Sequence, residues 1–344
     1  PVGKRKLVEV RVDTWDGFIF YTMNDKAPEL LEYLDPLPEI YKNHNFKDQI
    51  RAQWVRVELD VNWKFFCDNF NESYHTRFVH PQVPSVIDQD HFTSRYEMFP
   101  KGHARIIQMG RPSLRDRVHE GEDHPFQGIL EDWGVDTSKY KDYEALSEQG
   151  WIDLKKAKRK NYKEKGYHHY ENLSDEELTE SPFQFIFPNI AMGVQADGCI
   201  LLNWFPHPTD PEKCYFDLWD MGYPIGGSAK GIGKTGRDTD EEFKSTSAGI
   251  GETGRTSNQE YFSRTKVNPI ILQEVELDFR DYDNGKGVED LWDHVVYQDW
   301  QLTDGLRRGV KSRGYQEPYL ASQETRVRFF HEKLHDYLNG NPPK

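Results

Sequence analysis

Two histidines and two carboxylates lie within fourteen residues, DNFNESYHTRFVHP, at positions 68–81. If this stretch is helical, Asp68, Glu72 and His75 follow one another at spacings of four and three and share one face. His80 comes five residues after His75, but the proline after His80 disfavours the α conformation there, so the helix ends and the imidazole can turn back. Imidazole nitrogens are common metal ligands, and the spacing therefore predicts two ligands of one ion.

A third ligand is predicted at Asp299. It falls inside an apolar helical stripe in residues 290–312, formed by Trp292, Val295, Val296, Leu302, Leu306 and Val310. An unpaired carboxylate buried there would cost several kcal/mol, and coordination to a cation removes that cost. Two histidines and one carboxylate on one face are the ligand set of non-haem Fe(II). Two alternatives stay open: each histidine is merely hydrogen-bonded, or Asp299 pairs with Arg307 or Arg308.

The elements around these residues alternate between strands and helices. Residues 7–22 predict two strands around a turn at Asp16-Gly17, and residues 27–41 predict a short helix broken by prolines. Further strands are expected at 54–63, 103–109, 183–187, 198–205 and 214–221, and helices at about 112–180, 290–312 and 322–340. From their positions on predicted strands alone, four residues are candidates for lining a pocket: Phe187, Met192, Val194 and Trp204. Core packing is the more ordinary role for each of them.

Composition excludes several classes of function. The net charge is −14, which disfavours nucleic acid and anionic membrane surfaces as partners. No apolar run approaches the roughly 18 residues of a membrane-spanning helix, and the basic start of the chain lacks the apolar segment of a signal peptide. Three scattered cysteines, Cys67, Cys199 and Cys214, do not form a disulfide framework. We therefore expect a reduced, cytoplasmic protein.

One glycine-rich motif looks like a phosphate-binding loop but does not have its spacing. GIGKTG at 231–236 would need a glycine at position 228, where Ser228 stands. The same pattern returns as GIGETG at 249–254, with Glu252 in place of Lys234. A carboxylate does not suit a phosphate cradle, so the pattern predicts a duplicated surface loop.

The stretch WKFFCDNFNESYHTRFVHP resembles the iron-binding motif of the Rieske non-haem iron oxygenases. The resemblance continues in FIFPNIAM at 185–192 and in YQDWQLTDGLRRGVKSRGY at 297–315. It implies that His75, His80 and Asp299 hold a mononuclear Fe(II). It also implies that Glu72 is the carboxylate that relays electrons from a cluster on a neighbouring subunit. Asp68 occupies a position that is often acidic in the family. Its residue type fits a supporting catalytic role and a plain helix-surface role equally well.

The resemblance further implies an α+β catalytic domain of the helix-grip (START-like) kind, with an antiparallel sheet curved around a long helix. Residues 1–45 would be the closing β segment and linker of a Rieske-type domain, and residues 46–344 the iron domain, with insertions near 112–180 and 222–265. The expected activity is hydroxylation or oxidative dealkylation of an aromatic or other hydrophobic small molecule with O2. A reductase or ferredoxin would supply electrons to a homotrimer.

This sequence departs from the family in one respect. A Rieske 2Fe–2S cluster needs C-x-H and C-x-x-H pairs, and none of the three cysteines has such a histidine. The cluster is expected in the complete enzyme, and we interpret this chain as a truncated or incomplete form, or as one served by a partner chain. Two other functions stay open: a helix-grip carrier of apolar ligands, and a zinc hydrolase with Glu72 as general base.

Overall fold

Twelve strands and eight helices are found in the part of the chain that the structure describes. This computed structural model describes residues 9–117, 124–223 and 294–341, and the backbone of three short strands between 243 and 277. The strands are β1 Arg11–Trp15, β2 Phe18–Thr22, β3 Ile50–Leu59, β4 Arg95–Met98, β5 Ala104–Met109, β6 Glu180–Ile186, β7 Ile190–Gln195, β8 Gly198–Pro206, β9 Cys214–Gly222, β10 Phe243–Lys244, β11 Lys266–Val267 and β12 Glu274–Leu277. The helices are α1 Leu30–Leu34, α2 Leu37–Ile40, α3 Trp63–Phe70, α4 Thr76–Val79, α5 Pro125–Asp132, α6 Tyr143–Asn161, α7 His294–Val310 and α8 Thr325–Leu338.

Eight of the strands form one sheet in the order β12-β3-β9-β8-β7-β6-β5-β4. Neighbouring strands are antiparallel except for β12 and β3, which are parallel. β8 and β9 pair along their whole length, and Trp204 is the direct partner of Phe216, so the two rings lie on the same face of the sheet. The predicted α+β fold class, a large antiparallel sheet with helices packed against it, is confirmed.

One face of the sheet carries the helices that matter for the site. Trp204 and Phe216 stack on Phe66 of α3, with ring centroids 6.2 and 6.1 Å away. Phe330 of α8 and Val296 of α7 belong to the same buried cluster. Burial of such large aromatic side chains is the main favourable contribution of this core. It fixes α3, α7 and α8 against one sheet face.

The opposite face is covered by the N-terminal segment. Trp15 and Phe18 of the β1–β2 hairpin and Leu37 of α2 pack with sheet residues that include Met192 and Val194 of β7. Asp16 and Gly17 join the two strands with φ values of 44° and 94°. Positive φ at both central residues is typical of the tightest hairpin turns. The predicted hairpin and its turn are confirmed.

The helix-prone region near 112–180 folds onto itself. α5 and α6 enclose a separate cluster that includes Phe126, Leu130, Leu154 and Tyr170. α6 begins after Asp142, whose side chain accepts a hydrogen bond from the backbone N–H of Ala145 at 2.8 Å. None of the described helices is both long enough and apolar enough to cross a membrane.

Several predicted elements differ in detail. β4 and β7 were not expected, because both are short and β7 has no alternation of apolar and polar residues. The apolar stripe on α7 is covered only near Val296, while Leu302, Leu306 and Val310 are 44–46% exposed. The GIGKTG and GIGETG motifs and Trp292 lie outside the described residues.

Candidate metal centre

The two histidines of the motif stand at the two ends of α4. α3 ends at Phe70, where the Nδ2 atom of Asn71 donates to the carbonyl of Cys67 at 2.8 Å. That bond satisfies a carbonyl group that a helix end leaves free. The prediction of one continuous helix is therefore wrong: Asp68 lies on α3, whereas His75 directly precedes α4. Asp68, Glu72 and His75 do not share one helical face.

His80 follows α4 with φ −123° and ψ 65°, outside the helical region. This confirms that the residue before Pro81 leaves the helix and turns back. The imidazole rings of His75 and His80 lie 5.2 Å apart, at an interplanar angle of 82°. Their Nε2 atoms can therefore face one point from two directions.

Asp299 reaches the same point from α7. Its Oδ1 atom lies 3.0 Å from Nε2 of His80 and 3.6 Å from Nε2 of His75. All three ligand atoms lie within 4.8 Å of one another. Ligand atoms about 2.1 Å from an ion and at right angles to each other are about 3 Å apart, so this spacing suits three ligands on one face of an octahedral ion.

Two atoms of this cluster lack partners. Among the described residues, Nε2 of His80 and Oδ1 of Asp299 are buried and make no hydrogen bond, although they lie 3.0 Å apart. A buried polar atom left unpaired costs about 1–3 kcal/mol. Both atoms point at the space between the ligands, so a bound cation satisfies both at once. The residues present therefore fit a metal ion.

The other ring nitrogen of each histidine is held by a neighbouring side chain. The carboxylate of Glu72 contacts Nδ1 of His75 and also accepts a hydrogen bond from the His75 backbone N–H at 3.2 Å. The side-chain oxygen of Gln298 accepts from Nδ1 of His80 at 2.8 Å. An N–H on each Nδ1 leaves each Nε2 free to bind a metal, because the tautomer and the ring orientation are both set.

Asp299 is oriented in the same way. Nδ2 of Asn69 donates to Oδ2 of Asp299 at 3.0 Å, and Gln82 donates from Nε2 to Gln298 at 2.9 Å. We did not predict roles for Asn69, Gln82 or Gln298. Asn69 stands inside the motif and Gln298 directly precedes Asp299, so their positions were the available signal. Their contacts join residues more than 200 positions apart and depend on the tertiary fold.

Charge around His75 changes its protonation. Burial lowers the pKa of His75, but the hydrogen bond and charge of Glu72, together with the charge of Asp299, raise it above its ordinary value. Metal binding requires the neutral imidazole, so protons and cations compete for this site.

The alternative partners of Asp299 are engaged elsewhere. Arg307 lies 3.0 Å and Arg308 2.7 Å from the carboxylate of Asp304, one turn further along α7. Asp299 itself is 7% exposed. The ion-pair interpretation of Asp299 with these arginines is therefore wrong.

Asp68 lies apart from the cluster. Its carboxylate contacts Nε2 of His331 on α8 at 2.8 Å, and the two side chains are 37% and 44% exposed. The hydrogen bond with Asp68 raises the pKa of His331. The contact joins α3 to α8 near the surface. In this structure Asp68 is a helix-surface residue rather than a member of the site.

A cavity of about 540 Å³ opens beside the three predicted ligands. Its described lining is Asn69, Phe70, Glu72, Ser73, His75, Thr76, His80, Val83, Gln89, Ile106, Gln108, Phe183, Ile200, Val295, Val296 and Asp299. The lining is mostly apolar away from the ligands, which is typical of a site that keeps water out.

The pocket candidates proposed from strand patterns do not line this cavity. Phe187 and Trp204 are buried in the core beside α3, and Met192 and Val194 pack on the opposite face of the sheet. Phe183 and Ile200 line the cavity instead. Alternation along a strand gives the face of each residue, but it does not tell core from cavity on that face.

A comparison of the sequence with models of known protein families identifies the family of this chain. The model of the ring-hydroxylating alpha subunit, catalytic domain, matches residues 46–224 and 278–340. The chain belongs to this family. The resemblance to the catalytic domain of Rieske oxygenases is confirmed.

Curated relatives in the ring-hydroxylating family include two proteins with different named substrates. The alpha subunit of 2-aminobenzenesulfonate 2,3-dioxygenase from an Alcaligenes species is 26% identical over 103 residues, which are 29% of this chain and 26% of that protein. The oxygenase subunit of carnitine monooxygenase from Escherichia coli K12 is 30% identical over 137 residues, covering 37% of this chain and 34% of that protein. The matches thus cover 26% and 34% of the relatives' lengths.

A solved member of the fold gives the structural comparison. A quaternary ammonium Rieske monooxygenase in complex with an inhibitor has a TM-score of 0.52 and 15% identity. The match covers 95% of this chain and 61% of that one. It shows a shared fold.

Proposed function

We propose that this chain is the catalytic part of an oxygenase subunit that uses mononuclear Fe(II) and O2. It hydroxylates, or oxidatively dealkylates, an aromatic or other hydrophobic small molecule. The observation that carries the proposal is the convergence of His75, His80 and Asp299, with two buried atoms that one bound cation satisfies together. The Rieske oxygenase family uses a mononuclear iron and a 2Fe–2S cluster, which supports iron over other metals.

Side chains of this chain prepare the site before any ion binds. His75, His80 and Asp299 would hold iron on one face and leave the cavity side open, and Glu72 and Gln298 keep the two imidazoles in the required tautomer. Iron bound there supplies the activation of O2 next to the substrate. The apolar walls exclude water and confine the substrate close to the ligands.

Glu72 is the residue we propose for electron entry. Its carboxylate touches the ring of His75 directly, so it is in contact with a predicted metal ligand. We propose that electrons come from a Rieske cluster on a neighbouring subunit, which is reduced by a reductase or ferredoxin. Because C-x-H and C-x-x-H pairs are absent from this sequence, we propose that this subunit is either a longer form of the chain in a homotrimer or a separate partner chain. We further propose that residues 1–45 are the closing segment of a Rieske-type domain.

The alternative functions are less well supported. A carrier of apolar ligands has no need of a buried carboxylate between two histidines. In a zinc hydrolase Glu72 would have to act on water, but its carboxylate is engaged with the ring and backbone nitrogens of His75. Both contacts favour a role in orienting the ligand.

The test is metal content after anaerobic Fe(II) reconstitution, with zinc as a competitor. The wild-type protein is compared with Asp299→Ala. We expect about one iron per wild-type chain and a loss of most of it in the variant, because one of three protein ligands is removed. Full iron occupancy in Asp299→Ala would contradict the ligand assignment. Preferential retention of zinc by the wild type would favour the hydrolase.

A further inference from the structure

Two glutamine side chains meet on the wall of the cavity. Gln108 lies on β5 and is 1% exposed, and Gln89 lies in the segment before β4. Nε2 of Gln89 donates to Oε1 of Gln108 at 3.4 Å. Oε1 of Gln89 is buried and, within the part of the chain that the structure describes, has no hydrogen-bond partner. The proposed mechanism uses neither residue.

The Gln89–Gln108 pair shares its cavity with apolar side chains. The described lining of the cavity also includes the apolar side chains of Val83, Ile106, Phe183 and Ile200. A buried acceptor without a partner, such as Oε1 of Gln89, costs free energy among apolar groups. A ligand that donates a hydrogen bond to this oxygen forms a new contact and also removes that cost.

Charge on the lining limits what the ligand can be. No lysine or arginine is found among the described residues that line the cavity, so away from the proposed metal an anionic group has no counter-charge there. The carboxylates present are Glu72 and Asp299, and they already serve His75 and the ligand cluster. The described lining also contains no tyrosine or tryptophan, the rings that best face a quaternary ammonium group.

Gln89 also stands at the junction with an outer cleft. It and Ser73 line both the cavity and a second depression of about 550 Å³. The outer depression is polar and carries two ion pairs at 3.2 Å, Arg77 with Asp116 and Arg115 with Asp90. Gln89 therefore borders both this cleft and the cavity that contains the predicted metal ligands.

We propose that Gln89 and Gln108 form a substrate-orienting subsite for a neutral, mainly apolar molecule that carries a hydrogen-bond donor, such as a carboxamide. This inference rests on the proposed function of the cavity as the substrate site. The amide pair holds the donor group of the substrate, and the apolar remainder of the molecule extends toward His75, His80 and Asp299.

The test measures binding to the iron-reconstituted protein by anaerobic titration calorimetry. Four probes share one ring: benzamide, acetophenone, benzoate and benzyltrimethylammonium. Benzamide and acetophenone have nearly the same shape but differ in the N–H donor. We expect benzamide to bind about five- to tenfold more tightly than acetophenone, as one net hydrogen bond allows, and more tightly than either charged probe. Gln89→Leu is expected to abolish this preference while acetophenone still binds.

Two further variants keep the test decisive. Gln108→Leu should also remove the preference, and it replaces Gln89→Leu if that protein does not fold. Gln149→Leu, an exposed glutamine on α6 away from the cavity, is the matched control and should keep it. Equal affinity for benzamide and acetophenone, tightest binding of the quaternary ammonium probe, or no binding of any probe would overturn the proposal. Iron content of the same samples separates these results from a failure of the proposed function, which would show as protein without iron.

Discussion

Exchange of Asp299 for asparagine should separate metal binding from packing. Asp299 is 7% exposed, its Oδ2 accepts a hydrogen bond from Asn69 at 3.0 Å, and its Oδ1 has no partner among the described residues. Asparagine has nearly the same volume, and its amide oxygen can accept the same bond. We therefore expect the metal-free protein to change in stability by less than about 1 kcal/mol. The neutral amide, however, cannot balance the charge of a divalent cation.

The size of the effect follows from mass action. At a free Fe(II) concentration 100 times Kd, binding stabilises the folded protein by about 2.7 kcal/mol. If Asp299→Asn weakens binding hundredfold, the same concentration equals the new Kd and the stabilisation falls to about 0.4 kcal/mol. At about 1.4 °C per kcal/mol for a chain of this length, iron should raise Tm by about 4 °C in the wild type and by less than about 1 °C in the variant.

The assay is anaerobic thermal unfolding with and without Fe(II). Asp304→Asn is the control, because Asp304 lies on the same helix, is 58% exposed and pairs with Arg307 and Arg308. It should keep the full iron-dependent rise in Tm. An equal rise in Asp299→Asn and the wild type would refute the assignment of Asp299 as a ligand. Loss of the rise in the Asp304 control would show that iron acts on the surface charge of α7 instead.

Two further predictions concern the acidic residues of the motif. Glu72 raises the pKa of His75, so in the metal-free protein the protonated imidazole stabilises the fold at low pH, and this contribution is lost as pH rises through the folded-state pKa. Iron affinity should therefore fall as pH drops through that pKa. Glu72→Gln should move the midpoint of this fall to lower pH, as measured by iron titrations between about pH 5 and 8. An unmoved midpoint would contradict the conclusion that Glu72 raises the pKa of His75. Asp68→Asn should leave the iron content unchanged. It should lower the free energy of unfolding by less than about 1 kcal/mol in denaturant titrations, because the pair of Asp68 with His331 is partly exposed. Loss of iron in this variant would show that Asp68 belongs to the metal site.

The sequence identified the three converging side chains better than the backbone that carries them. His75, His80 and Asp299 were recognisable from residue type, from Pro81 and from a carboxylate inside an apolar stripe. The helix break was missed because it depends on Asn71, whose side chain caps the end of α3. Asparagine has only a modestly low helix propensity, and nothing local shows that its amide reaches a carbonyl one turn back.

The cavity was still less predictable. Phe183 and Phe185 lie on the same face of β6, yet Phe183 lines the cavity while Phe185 is buried in the core beside α3. The difference is made by which helix covers each position, and that is decided by contacts between distant parts of the chain. The periodicity of apolar residues along one strand does not indicate which helix covers each position.

The unpaired atoms of the site have a structural explanation in the bonds around them. His75, His80 and Asp299 each use one polar atom for a neighbour, so their orientations are set without a metal. The atoms left over face each other, and their mutual desolvation costs stability that the surrounding packing must offset. A protein under selection for stability alone would remove Asp299, since an apolar residue fits the stripe on α7. Its presence there, pre-oriented and unsatisfied, supports our proposal that a cation completes the cluster.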